Sequence, residues 1–498
     1  MTNPMHGANA AFPLPTRRGL YYGGGWHDPR SGNFADTLNP GTGGSLGRVA
    51  VGNAADVDSA VAAARRGFSE WRAVVPLERA RMLRRLAELL RQNAGELALI
   101  DAANCGNPVR EMMSDAMVAA AQMEFFAGLV TEMKGASIPM GPDVVNFSVR
   151  EPLGVVARII PFNHPFMFAA GKSAAPLAAG NTVVIKPPEQ APLSSLRLAE
   201  LIHGVLPPGV FNVVPGDRDT GAALASHKDV AMVAIIGSVA AGRAVMRAAS
   251  ETVKPVLLEL GGKNALIAYP DADPDDVAAA VIGGMNFTWC GQSCGSTSRA
   301  LIHESIHDAV VERVKARITA FKPGLPTDPA TTMGAIVSRV QFDRVLGHIE
   351  DAKREGARLL CGGDRPADPA LAGGFYIEPT VFVDVTASMR IAREEIFGPV
   401  LAILRWSDEA RMLDEVNAVD VGLTCSIWTN DLSTALRAAR AVEVGYVWIN
   451  EVGKHFLGAP FGGVKQSGFG REECLGEMLS FTQEKNIHVK LRRPGSAR

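Results

Sequence analysis

The sequence predicts an α/β protein of more than one domain, and three observations carry that reading. From Gly154 onward, short apolar runs ended by glycine or proline alternate with helical stretches. The unusual polar residues fall at the ends of those runs, and the chain is 498 residues long, too long for one small core. Residues 1–53 are rich in Gly, Pro and Asn, a loop-and-strand composition. Helical periodicity follows: Ala60, Ala63, Ala64, Phe68 and Trp71 share one face, and Met82, Leu83, Leu86, Leu89 and Leu90 share another. A third helix is expected from Glu111 to Met133. The runs Val155–Ile160, Val183–Ile185, Phe211–Val214, Val233–Ile236 and Val256–Leu258 read as strands buried on both faces, hence as βαβ units and a mainly parallel sheet. A second α/β region is expected from about Gly262 to Phe481. Two segments alternate with period two, Val145, Phe147, Val149 and Ile487, Val489, Leu491, and read as edge strands that need a partner.

Bulk composition excludes several functions. With 50 basic and 52 acidic residues the net charge is -2, and no basic stripe favours nucleic acid. The six cysteines form no paired framework, which points to a reducing compartment. No apolar leader opens the chain and no run is long enough to span a bilayer, so the expected location is cytoplasmic. The ten histidines show no metal-ligand spacing, so no metal is expected. The acidic run Asp271-Ala-Asp-Pro-Asp-Asp276 lacks the downstream Gly and Glu of a calcium loop and reads as a helix start.

The chemistry concentrates in Phe287-Thr-Trp-Cys-Gly-Gln-Ser-Cys294-Gly, read with Glu259-Leu-Gly-Gly-Lys263 and Pro161-Phe-Asn-His-Pro165. A thiol needs positive potential or backbone donors to ionise, and Gly291 and Gly295 leave the backbone beside Cys294 unobstructed. Glu259 ends an apolar run, where burial raises a carboxyl towards a useful base. Asn163 follows a buried strand between two prolines and can aim a neutral donor at a developing oxyanion. Taken without context, each has a plain structural alternative: a small buried thiol, an N-cap carboxylate, a turn asparagine. Cys290 has two readings, a packing residue or a redox partner sharing a helical face with Cys294. The turn Gly237-Ser238 before a helix starting near Val239 offers free N–H groups to a phosphate.

From about Tyr21 to about Leu491 the chain resembles the aldehyde dehydrogenase superfamily, with these motifs in the family's order. The resemblance implies a Rossmann-like NAD-binding domain (1–142 and 152–261), a second α/β catalytic domain (262–481) and a small β oligomerisation arm (143–151 and 482–498). It implies NAD-dependent oxidation of an aldehyde to the acid through a cysteine thiohemiacetal and thioester. Cys294 is then the nucleophile, Asn163 with the Cys294 N–H the oxyanion site, and Glu259 the water-activating base. Lys172 and Glu472 match positions that orient the base or relay its protons. The cofactor would lie against Ile160, Pro161, Phe162, Lys186, Glu189, Gly216, Gly237, Ser238, Leu260, Glu395 and Phe397. A carboxylate at Glu189 would repel a 2′-phosphate and so favours NAD over NADP. The usual Thr before Gly237 and the Thr and Glu after Ser238 are Ile236, Val239 and Ala240 here, and Phe162 stands where many members have Trp. His164, Phe168, Gly171, Thr288 and Phe456 would line the aldehyde tunnel, and an aromatic wall beside a glycine suggests room for a bulky, apolar or aromatic aldehyde. The family forms homodimers or homotetramers. Members that pass the acyl group to coenzyme A generally lack the glutamate, so Glu259 opposes a CoA-acylating semialdehyde dehydrogenase. The retained Cys294, Glu259 and Asn163 oppose a non-catalytic scaffold.

Overall fold

The computed structural model describes residues 13–491. The five expected apolar runs form the parallel centre of an eight-stranded sheet, as Val155–Ile159, Thr182–Lys186, Phe211–Val213, Met232–Gly237 and Val256–Leu260. From Val155–Ile159 the chain steps outward through the next two strands, then returns to lay Met232–Gly237 and Val256–Leu260 on the other side. The strand order therefore reverses between Val155–Ile159 and Met232–Gly237. That is where open α/β sheets bind ligands, because the loops leaving neighbouring strands diverge there. Asn163 and Ser238 follow those two strands.

The helices obey the apolar spacing that predicts them. Ala54–Trp71 begins with Asn53, whose side chain accepts from Ala55 and Asp56 while Asp56 reaches back, a capping box. Val109–Gly128 replaces the helix expected from Glu111 to Met133; it ends at Gly128, and the next residues turn. Trp71, Phe126, Phe166 and Phe211 are buried in the core between these helices and the first sheet. Each fully buried large side chain is worth about 1.5–3 kcal/mol.

The second α/β region has a seven-stranded sheet, parallel except for the edge pair Arg358–Cys361 and Thr380–Val383. The chain does not stay with that sheet as far as Phe481. Gly468–Phe469 pairs antiparallel with Val256–Leu260, and Met478 and Phe481 pack in the first core. The segment carrying Glu472 is thereby pressed against the strand carrying Glu259.

The two alternating segments pair with each other, Thr482–Lys490 against Val144–Pro152, with Ser137–Pro139 as third strand. Their alternation is inverted. Asn146 and Ser148 are buried, bonded to His488 and Glu484, while Val145 and Val489 are 45% and 40% exposed. Residues 1–12 and 492–498, which include the start of the first expected domain and the end of the arm, lie outside the described residues. Among the described residues no helix is long and apolar enough to cross a membrane. The acidic run serves structure: Asp273 caps Pro274–Gly284, and Asp271 accepts from Thr429 and Asn430.

Candidate active site

One cavity is lined by Cys294, Asn163 and Glu259 together with Pro161, Phe162, Gly237, Ser238, Leu260, Glu395 and Phe397. Residues from five separate segments of the sequence thus face one space.

Cys294 lies in a loop, not a helix, after the 3-10 turn Phe287–Trp289. Asn286 and Cys290 take left-handed backbone, which breaks the helical face once expected to join Cys290 to Cys294. Cys290 is instead buried in the second core. Gly291 is required by a neighbour: its φ is 64°, and a Cβ there would overlap the carbonyl of Gly398. Asn264 pins the backbone of Cys294. Its Nδ2 donates to the carbonyls of Cys294 (2.6 Å) and Ser296 (3.0 Å), and its Oδ1 accepts from Thr424 N. Sequence reading missed Asn264, although it directly follows Lys263. Burial pushes the Cys294 thiol up to about 12, with the carboxylates of Glu395 and Glu259 adding to the effect. The resting group is therefore the thiol.

Asn163 is buried; its carbonyl accepts from Asn107 Nδ2 at 2.7 Å, and its Oδ1 has no hydrogen-bond partner among the described residues. The amide is held at the backbone and free at its tip. Glu259 is buried, and its Oε1 has no hydrogen-bond partner among the described residues. Burial raises its carboxyl well above the ordinary range, Glu472 adds to this, and Lys172 and Arg471 oppose it.

Behind Glu259 lies a buried ionic cluster. Glu472 bridges Lys172 (2.9 Å) and Arg158 (3.2 Å), and Lys172 also meets Glu473 at 3.5 Å. Glu477 lies 4.0 Å from Arg158 and is pushed up to about 7 by burial and by Glu472. Arg158, Glu473 and Glu477 escaped sequence reading, since a charge inside an apolar strand or in the run Arg471-Glu-Glu473 has no local signature. Arg158→Met is expected to lower stability by about 3–5 kcal/mol, because it strands buried carboxylates; a denaturant titration measures this.

The residues expected to hold the cofactor offer groups that suit a dinucleotide. Ser238 caps the helix Val239–Ser250 by accepting from Ala241 N at 3.2 Å, which leaves its hydroxyl proton and the first N–H groups to face a phosphate. A Cβ at Gly237 would meet nothing closer than 3.6 Å. Glu395 Oε1 accepts from Gly262 N at 3.1 Å, and a Cβ at Gly261 would overlap Glu395 Oε2. Phe397 takes a left-handed φ of 56° and meets the ring of Phe162 edge-on at 5.7 Å. Lys186 is buried and its ammonium has no bonded partner among the described residues; burial lowers it, against Glu189 and Asp217. Glu189 is exposed. Ile160 lies behind the cavity wall, donating to the Lys186 carbonyl at 3.2 Å. Gly216 is explained by packing, since a Cβ there would overlap Thr220.

The substrate side departs from expectation. The room beside Gly171 is taken by the Gln122 side chain, which a Cβ at Gly171 would overlap. Phe456 is 61% exposed on its loop. His164 precedes the helix Pro165–Ala178 and bonds through Nδ1 to Asp115 at 2.7 Å, edge-on to Phe168 and Trp289 at 5.4 Å each. Thr288 is half-buried in the turn before Cys290.

The aldehyde dehydrogenase family profile matches residues 26–487. The chain is 51% identical over 486 residues to the aldehyde dehydrogenase tropH of Talaromyces stipitatus, covering 96% of this chain and 94% of that protein. Among solved structures it is similar to PnpE of Pseudomonas sp. WBC-3 in complex with nicotinamide adenine dinucleotide. There the TM-score is 0.94 and the identity 39%, over 97% of this chain and 99% of that one. It is also similar to the indole-3-acetaldehyde dehydrogenase AldA of P. syringae bound to NAD+ and IAA, at TM-score 0.93 and 37% identity over 96% and 97% of the chains.

Proposed function

The chain belongs to the aldehyde dehydrogenase family and catalyses NAD-dependent oxidation of an aldehyde; from that premise we propose that Cys294, Asn163 and Glu259 perform the chemistry. The observation that carries this assignment is that all three line one cavity with Ser238 and Glu395. Cys294 attacks the aldehyde carbon as its proton passes to the carbonyl oxygen, giving a thiohemiacetal whose oxygen faces the Asn163 amide and the Cys294 N–H. NAD, when bound, supplies the hydride acceptor at the reacting carbon. Ser238 and the first N–H groups of Val239–Ser250 hold phosphate, Lys186 and Glu189 the adenosine ribose, and Glu395 the nicotinamide ribose. Glu259 then takes a proton from water as the water attacks the thioester and returns it to the departing sulfur, freeing the acid and the thiol. The test is absorbance at the NADH band with a panel of aliphatic, aromatic and charged aldehydes. Asn163→Ala is expected to lower kcat about 10²–10³-fold with near-native KM, read by steady-state kinetics.

NAD is preferred over NADP because an exposed carboxylate at Glu189 repels a 2′-phosphate. Glu189→Ser is expected to narrow the ratio of kcat/KM values for NAD and NADP about tenfold. The substrate is an apolar or aromatic aldehyde, a reading supported by the Phe168 and Trp289 rings beside His164 and by the indole-3-acetaldehyde named for AldA. Faster turnover of short or charged aldehydes than of benzaldehyde-type substrates would overturn it. The outward apolar face of the strands Val144–Pro152 and Thr482–Lys490 supports assembly into homodimers or homotetramers, read by sedimentation. Six free cysteines support a reducing, cytoplasmic location, read by cell fractionation.

A further inference from the structure

We propose that His164, held by Asp115, is a specificity-determining residue that donates through Nε2 to a neutral oxygen on the aldehyde. The substrate is then an aromatic aldehyde whose ring carries a hydroxyl, ether or ketone oxygen; this rests on the reading of the substrate as an apolar or aromatic aldehyde.

His164 occupies the cap position before the helix Pro165–Ala178, where a side chain ordinarily accepts from the first helical N–H groups. Here it makes no such bond. The ring turns instead to Asp115, with Nδ1 2.7 Å from Oδ2, and stands edge-on to Phe168 and Trp289. The main chain on either side is fixed without it. Asn107 Nδ2 donates to the Asn163 carbonyl at 2.7 Å, and Phe166 N donates to Asp101 Oδ2 at 3.0 Å. Two rings and one carboxylate thus fix an imidazole whose Nε2 bonds to no described residue. Trp289 Nε1 also has no hydrogen-bond partner among the described residues, but it is sealed from solvent, whereas the His164 side chain is 12% exposed.

Electrostatics decide what that nitrogen offers. Burial lowers the imidazole, but Asp115, Asp101 and Glu111 outweigh it and hold the ring above its ordinary range. The ring is thereby biased towards the doubly protonated form, in which Nε2 donates. Asp101 comes from the helix Ala94–Cys105, and Glu111 and Asp115 come from Val109–Gly128. Asp115 is paired with the ring itself and Glu111 with Arg110 at 3.4 Å, so no positive charge is left over for an anion. An anionic substituent would gain the donor and meet the carboxylates, whereas a neutral oxygen gains the donor alone. His164 directly follows Asn163, yet it is not among the residues that wall the cavity with Cys294. An aldehyde whose formyl carbon reaches Cys294 therefore meets the imidazole through a substituent, not through the reacting group.

The test is kcat/KM with NAD for benzaldehyde, hydroxy-, methoxy- and carboxybenzaldehydes and a short aliphatic aldehyde. The native protein is expected to favour a hydroxy and a methoxy ring over benzaldehyde about 10–100-fold, the range of one hydrogen bond from a charged donor. His164→Phe should bring that ratio close to one, and His164→Gln, which keeps an N–H donor, should recover part of it. Asp115→Asn supplies a readout that a structural tie would not move. An uncharged partner favours the neutral ring, in which Nδ1 still donates and Nε2 accepts. Methoxy rings should then lose their advantage, while hydroxy rings, which can donate, keep theirs. A native ratio near one, a ratio that survives His164→Phe, or equal loss of hydroxy and methoxy rings in Asp115→Asn would overturn the proposal. Preference for carboxybenzaldehydes would overturn the neutral class. Turnover of the short aliphatic aldehyde faster than of every ring overturns the aromatic reading and this proposal with it. Rings preferred without regard to their substituent overturn the donor alone.

Discussion

Cys294→Ala is expected to abolish aldehyde oxidation, with kcat falling about 10⁶-fold while NAD binds with native affinity. Stopped-flow absorbance at the NADH band and calorimetric titration of NAD check the two halves. The loss should be near complete because no other thiol can substitute. Cys290 is the nearest in sequence, yet it is buried in the second core, and burial pushes its own thiol far up. Binding should survive because Cys294 contributes only one edge of the cavity, while Ser238, Lys186 and Glu395 sit on other elements. The substitution also removes a half-buried thiol whose fixed contacts are made by its backbone, through Asn264. Residual turnover above about one part in a thousand would show that the thiol is not the group that carries the acyl chain.

The parallel sheet was legible in the sequence because strands buried on both faces have no polar side, and their ends carry residues that line one cavity. Asn163, Gly237, Ser238 and Glu259 were found that way, and Cys294 through its Gly-rich setting. The parts that stayed hidden depend on neighbours distant in sequence. Gly171 signals space only if nothing enters from the opposite helix, and Gln122 enters. Asn264 orients Cys294 across a gap in sequence that no spacing rule covers. Arg158 points from an otherwise apolar strand into a cluster completed by Glu472, which the chain supplies only after returning from the second sheet. The helical link between Cys290 and Cys294 fails because Asn286, Cys290 and Gly291 adopt left-handed backbone, and only Gly291 advertises that freedom.

Glu259→Gln should separate the two halves of the reaction. The first turnover of NADH is expected at the native rate, followed by acyl-enzyme decay slowed about 10²–10⁴-fold. Burial and the charge of Glu472 raise the Glu259 carboxyl well above its ordinary value, with Lys172 and Arg471 opposing. The base works ionised, so decay in the native protein should rise with pH through that raised value and level off above it. In Glu259→Gln this acid limb should vanish, leaving a slow rate set by unassisted water. Stability moves in the opposite sense. A carboxyl with a raised folded-state pKa stabilises the fold at low pH, and that contribution fades as pH rises through the folded-state value. Glutamine mimics the protonated form, so the variant should match the native protein at low pH and exceed it at high pH in denaturant titrations. A variant that loses the NADH burst as well as decay would place Glu259 in the attack step, as the group that takes the thiol's proton. That outcome is physically open, because the thiol rests near 12 and its ionisation needs an acceptor. Burst amplitude against pH decides between them: a burst that survives in the glutamine variant confines Glu259 to hydrolysis.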